Sequence, residues 1–280
     1  MKLMATLLRR LVYSAVLLLA VIILNFLLLH LAPGDPAETL VGEMGGATEE
    51  ILAQIKAEYG LDESLLKQLS THIRKMAQLD LGHSFTYERE VSELILQRMP
   101  ATILLVMTAM VVAVAVGTVL GVISARNPQG VLSHVVTVLS LAGYSAPVFW
   151  TGIMLLILFS YFFPLFPSFG MRTIGGTGGL LEGVWDVVHH LVLPVVTLSS
   201  IYIAAYSRLS RASMLDVLGS DYIRTARSKG LSEHVVVYKH ALKNALLPVV
   251  TMAGLQFSQL VAGAVVVETV FSWPGMGLLA

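Results

Sequence analysis

Five apolar runs dominate the chain: Leu11–Leu31, Thr102–Ile123, Val131–Leu165, His190–Leu209 and Pro248–Phe271. Crossing the ~30 Å hydrocarbon core of a bilayer takes about 20 helical residues, so each run predicts a membrane-spanning helix. The first run is longer than the ~7–15 apolar residues of a cleaved signal. Pro33 also follows Ala32 where cleavage would fall, and the run reads as a retained anchor. Pro147 and Pro194, which lack the backbone donor a helix needs, should kink the third and fourth spans. Between the first two runs, Thr48–Tyr59 and Asp62–Gln78 place apolar residues at helical spacing behind a polar first residue suited to capping. They predict a small helical cap, with turns at Pro33-Gly34-Asp35-Pro36 and Gly45-Gly46. Ser168 to Asp186 predicts a loop, and its Gly175-Gly176-Thr177-Gly178-Gly179 stretch reads as a flexible linker. No Lys-Ser/Thr follows to make it a phosphate cradle.

Composition agrees with the pattern. Hydrophobic residues make up 56% of the chain and charged residues 13%, with a mean hydropathy of +0.78. Soluble domains carry roughly 25% charged residues. The chain therefore predicts an all-α, polytopic membrane helix bundle, with an anchor and external cap over 1–97 and a core of four spans over 98–280. The absence of cysteine excludes disulfides and thiolate metal sites.

The net charge of zero hides an asymmetry that sets orientation. With the N-terminus in the cytoplasm, the inner segments hold Lys2, Arg9, Arg10, Arg126, Arg208, Arg211, Arg224, Arg227, Lys229, Lys239 and Lys243 against Asp216, Asp221 and Glu233. The first outer loop holds six basic residues among twelve acidic ones.

The inner segment between the fourth and fifth runs carries the densest polar chemistry. Asp221 is a suitable N-cap and Gly230 a suitable stop, so 222–229 predicts a short basic helix. A second helix should begin at Ser232, with Leu231 and Val236 placed for a hydrophobic staple. Two short helices meeting at a glycine make a knob. Thr225, Ala226 and Ser228 are small enough to let a partner approach, and Arg224, Arg227 and Lys229 suit charge-assisted contacts. An ordinary positive-inside loop is the simpler alternative.

The run Arg211-Ala212-Ser213-Met214-Leu215-Asp216-Val217-Leu218, then Asp221 through Leu231, then His240-Ala241-Leu242-Lys243-Asn244-Ala245-Leu246-Leu247-Pro248, resembles the coupling loop of ABC-importer permeases of the dipeptide, oligopeptide and nickel type. Pro33-Gly34-Asp35-Pro36, Tyr59-Gly60-Leu61-Asp62, Asp80-Leu81-Gly82-His83-Ser84, Pro100-Ala101-Thr102 and Glu268-Thr269-Val270-Phe271-Ser272-Trp273-Pro274-Gly275 resemble the same family in the same order. Arg224-Thr225-Ala226 stands where the general importer pattern has Glu-Ala-Ala, as in the peptide branch. The resemblance implies a type I importer fold with six spans, of which five are present and the final one lacking, and a coupling loop at about 212–247. It implies a permease subunit for di- or oligopeptides in a bacterial or archaeal cytoplasmic membrane, with nickel or a metal chelate as the alternative cargo.

The implied partners are a second permease subunit, two cytoplasmic ATPase subunits, an external solute-binding protein and membrane lipid, but no nucleic acid. Asp221, Tyr222, Arg224, Thr225, Ala226, Arg227, Lys229, Gly230 and Leu231 would then meet an ATPase subunit. The partner subunits would use ATP, because this chain has no Gly-x-x-x-x-Gly-Lys-Ser/Thr run and binds no cofactor by that route.

Within the spans, Gln256, Gln259 and Glu268 are the candidate pathway residues. Glu268 lies close enough to a span end for an interfacial role or a structural hydrogen bond, and that reading is favoured over substrate contact. Asn25 and His30 read as interhelical hydrogen bonds, and Gly117-x-x-x-Gly121 as a close packing face. Adjacent His189 and His190 point about 100° apart on a helix, which disfavours a metal site. A stand-alone secondary transporter or channel would want embedded charge for ion coupling, of which the spans carry almost none. An intramembrane metalloprotease would want a His-Glu-x-x-His run, also lacking.

Overall fold

A computed structural model describes residues 2–31, 63–84, 86–175 and 179–279. Thr48–Tyr59, Pro33–Pro36, Gly45-Gly46 and Tyr59–Asp62 lie outside the described residues. The chain falls into two units, Met1–Gln97 and Arg98–Ala280.

In the first unit, α1 (Lys2–Leu31) is apolar on every side. Its Phe26 is buried, with ring centroids 4.0 Å from His30 and 5.8 Å from His72. His30 bonds the Phe26 carbonyl and the Gln68 side chain, each at 2.9 Å, which ties α1 to α2 (Leu65–Ala77). Ser64, two residues later than expected, occupies the N-cap of α2. The segment after it is not helical. His83–Ser84 (β1) and Arg89–Glu90 (β2) form a small antiparallel hairpin, with His83 opposite Glu90. Asp80 accepts a bond from the Gly82 amide at its entry. Two-residue strands are too short to leave an alternation in the sequence, so the hairpin departs from the all-helical expectation.

The second unit is organised around α6 (Leu180–Leu218). Helix α3 (Val91–Arg126) approaches it through Gly117 and Gly121. A Cβ on Gly117 would stand 2.6 Å from the Tyr206 Cβ, and one on Gly121 would stand 2.6 Å from the Ser207 carbonyl. Numbers rise together on the two helices, so α3 and α6 run parallel. The final helix, α8 (Glu233–Val270), packs against α3 in the opposite sense: Thr102 meets Glu268 near one end, and Ala113 clusters with Val249 and Ala253 nearer the other. It opens with a turn widened by one residue over Val236–Ala241.

The third apolar run is broken rather than kinked. It forms α4 (Val131–Ser145) and α5 (Val148–Phe162), with Pro147 extended at the N-cap of α5. A proline ring pushes its preceding residue out of the helical region, which ends α4 before Ala146. Contacts along α6 still trace a single traverse. Arg211 donates to the Pro128 carbonyl, Gly143 faces the Ser200 carbonyl, Gly152 faces Thr197, and Leu165 accepts from His189. The stretch from His189 to Arg211 measures about 33 Å at 1.5 Å per residue, close to a bilayer's hydrocarbon thickness. Among the described residues four helices are long and apolar enough to cross singly, and α4 with α5 covers the same depth in two pieces. Helix α6 also begins at Leu180, well before the expected end of the loop at Asp186, and passes through Pro194 without ending. Asp186, one and a half turns in, fastens the loop by accepting bonds from the amide and hydroxyl of Thr173, both at 2.7 Å.

Gly121→Val should lower thermal stability in detergent by on the order of 1–3 kcal/mol, as overpacked interiors do. Gly183→Ala, where a Cβ meets nothing within 4 Å, should be neutral or stabilising by up to about 1 kcal/mol. Fluorescence-monitored melting compares the two, and equal melting points would contradict the close α3–α6 contact.

Candidate functional site

Two polar constructions stand at opposite ends of the second unit. The first is the knob that follows α6. Ser220, not Asp221, is the N-cap of α7 (Asp221–Ser228), and the Asp221 side chain is 96% exposed. Ile223 and Ala226, three residues apart, share the inward face of α7 and are 0% and 7% exposed. They pack with Val122 of α3, Met214 of α6, and Val236, Val237 and Ala245 of α8 in one apolar hub.

Tyr222, Arg224, Thr225, Arg227, Ser228 and Lys229 are exposed. Gly230, at φ +75°, turns the chain through the left-handed region that glycine enters without strain, and Leu231 beyond it is exposed. Ser232 then caps α8 as expected, with Val236 fully buried in the hub. Across the turn Arg227 grips Glu233 through two bonds, Nη2 to Oε1 at 2.7 Å and Nε to Oε2 at 3.1 Å. The carboxylate raises the already high pKa of Arg227. Asn244 donates to the Tyr222 hydroxyl at 2.8 Å.

Of the nine residues expected to meet a partner, Ala226 is thus corrected: it belongs to the hub, and its small size serves packing inside the knob. The hub itself and the Tyr222–Asn244 and Arg227–Glu233 ties were missed. Ile223 and Ala226 were readable as an apolar pair at helical spacing within an otherwise polar segment.

The second construction surrounds Glu268. Its side chain is 0% exposed and fully engaged. The Thr102 hydroxyl donates to Oε1 at 2.6 Å and accepts from the Met276 amide at 2.8 Å, while the Gly277 amide donates to Oε2. The Trp273 amide donates to the Glu268 carbonyl at 2.8 Å and its indole to the Ala101 carbonyl at 2.9 Å. The chain after α8 therefore folds back over the carboxylate and seals it. A Cβ on Gly275 would fall 2.1 Å from Glu268 Oε1, and one on Gly277 would fall 2.4 Å from the Val265 Cα. The spacing Glu-x4-Trp-Pro-Gly-x-Gly thus encodes a closed turn.

Glu268, a candidate pathway residue from sequence, faces the interior of its own chain, which is the structural hydrogen bond of the favoured reading. Gln256 is half-buried with Oε1 unpartnered, and Gln259 is exposed. His190 bonds the Asp186 carbonyl and His189 the Leu165 carbonyl. Among the described residues no three His, Asp or Glu side chains group as metal ligands do.

A multi-pass helical bundle with a polar knob between its last two long helices is the architecture of a membrane permease subunit. Residues 117–280 match the family model for the binding-protein-dependent transport system inner membrane component, and residues 3–106 match that for the N-terminal part of such membrane components. The chain is 40% identical over 277 residues to a di/tripeptide transport system permease of Pseudomonas aeruginosa, covering 92% of this chain and 80% of the relative. It is 40% identical over 276 residues to the dipeptide transport system permease DppB of Escherichia coli K12, covering 92% and 81%. It is 38% identical over 277 residues to the oligopeptide transport system permease AppB of Bacillus subtilis, covering 98% and 85%. This chain belongs to that family, the permeases of ABC importers.

Glu268→Ala leaves the Thr102 hydroxyl and the Gly277 amide without their acceptor, at a cost of about 1–3 kcal/mol for each orphaned group. Melting in detergent should fall accordingly, with Glu268→Gln intermediate, and 271–279 should become susceptible to limited proteolysis. Unchanged cleavage in Glu268→Ala would show that the carboxylate does not hold the turn.

Proposed function

We propose that this chain is a pathway subunit of an ATP-driven importer of short peptides, working beside a second permease subunit above two cytoplasmic ATPases. An external binding protein delivers the cargo. The observation that carries the reading is the division of α7 into an apolar face locked into the hub and a polar face left free, in a chain alike over nearly its whole length to permeases of peptide systems.

The mechanism follows from that division. Arg224, Thr225 and Lys229, with Tyr222 beside them, offer donors and a ring to an ATPase groove. Closure of the ATPases on ATP draws the knobs of two permeases together, and the hub passes the displacement to the spans. Basic residues at the knob end outnumber acidic ones, which favours that end, and with it the N-terminus, in the cytoplasm. The pathway lies between permease subunits, with Gln256 and Gln259 as candidate lining groups. This chain supplies shape and leverage, and ATP chemistry stays with its partners.

The test separates the two faces of α7. Arg224→Glu should leave the melting point unchanged, while co-purification of the ATPases and uptake of a labelled dipeptide fall at least about tenfold, equivalent to ~1.4 kcal/mol of docking energy. Ala226→Glu should instead destabilise the chain, because it drives a charge into the hub. Normal dipeptide uptake by Arg224→Glu would overturn the docking assignment. Uptake of nickel in place of dipeptide by the wild-type assembly would overturn the cargo.

A further inference from the structure

Near the knob end, α3, α4 and α6 diverge around a crevice of about 220 Å³. Its polar groups come from all three helices: Ser124 of α3, Thr137 and Ser140 of α4, and Ser207, Arg208 and Arg211 of α6. Among the described residues no aspartate or glutamate lines it. Arg208 and Arg211, three residues apart, project from adjacent turns of one helix face.

The bonding within the crevice is incomplete. Ser124 is 1% exposed, yet its hydroxyl has no partner. Arg211 spends Nη2 on the Pro128 carbonyl at 3.1 Å, while its Nε is buried and unpaired. A guanidinium nitrogen only donates and a serine hydroxyl donates readily, so the unmet demand is for acceptor oxygens. Buried donors without acceptors are costly to leave unmade. The space is several times the ~30 Å³ that a water occupies in the liquid, large enough for a tetrahedral oxyanion.

The surroundings indicate where such an anion comes from. Val136 and Leu215 line the crevice with apolar carbon. Outside it, α4 exposes Leu132, Val138 and Leu141, at 55%, 65% and 60%. An exposed apolar helix face next to a mostly apolar crevice edged by Arg208 and Arg211, at the end of a spanning bundle, matches a phospholipid, with acyl chains along α4 and a phosphate drawn toward the arginines.

We propose that this crevice binds the phosphate of an anionic phospholipid, held by Arg211 and Arg208 and by the Ser124 hydroxyl. The ligand joins α4 to α3 and α6 beneath the break at Pro147, bracing the less continuous traverse of the bundle. The proposal requires only that the chain spans a membrane, and stands whether or not the cargo is a peptide.

The chain, purified in detergent, is melted with added phosphatidylglycerol, phosphatidylcholine or inorganic phosphate, and retained lipid is counted by native mass spectrometry. Phosphatidylglycerol should raise the melting temperature and persist as a bound adduct, with phosphatidylcholine binding at least about tenfold more weakly because it lacks the net negative charge. Ser124→Ala should be as stable as wild type or more so without lipid, since it deletes an unpartnered hydroxyl, and should lose part of the phosphatidylglycerol gain. Arg211→Gln should lose most of it. Protection by inorganic phosphate alone would overturn the lipid as the source while keeping the oxyanion chemistry. Equal protection by phosphatidylcholine, no protection by any of the three, or a full phosphatidylglycerol gain in both variants would overturn the site, leaving the crevice to water.

Discussion

The contact on which the rest of the 98–280 unit depends is the close approach of α3 to α6 at Gly117 and Gly121. Lipid tails are as apolar as leucine, so helices in a bilayer gain little by hiding apolar surface from one another. They associate through intimate packing and hydrogen bonds. Two missing side chains let backbones come within reach, and the separation they set fixes where Tyr206, Ser207 and Ser210 lie. From there α8 has one seam to fill, built from Leu105 and Ala109 on one side and Leu260, Ala264 and Val267 on the other.

The ends of that seam are finished in opposite ways. At one end the Glu268 turn gives each oxygen of a buried carboxyl group a partner, Thr102 on one and the Gly277 amide on the other, as buried polar groups require. At the other, α7 hides two side chains and leaves the remainder in solvent. The Arg227–Glu233 pair lies in that solvent, where an ion pair contributes at most about 1 kcal/mol. Its geometry therefore matters more than its energy: it holds the angle between α7 and α8 across a flexible glycine.

Much of this was legible in the residues. Long apolar runs announce spans because hydropathy and length are the only requirements for crossing, and Gly117-x-x-x-Gly121 announces a tight contact. What escaped depended on distant partners. Pro147 gives the same local signal whether a helix bends or stops, and the outcome rests on how α4 and α5 lie along α6. Leu180 to Trp185 looked like loop because a glycine-rich stretch precedes it, but Asp186 anchors Thr173 and the helix begins sooner. Ala226 looked like a docking residue because small size serves a partner and a core equally well. Glu268 offered the reverse difficulty: its sealing groups, Thr102 and Gly277, lie on different elements, and only their convergence shows that the side chain is enclosed.

The hub has a mechanical consequence. Val122, Met214 and Val236 bring three separate helix ends to one apolar contact with α7, and densely packed interiors deform little under load. Force arriving at the short helix is consequently shared among three levers, and none of them can swing without the others. A load applied to α7 therefore moves α3, α6 and α8 together, as one stiff body.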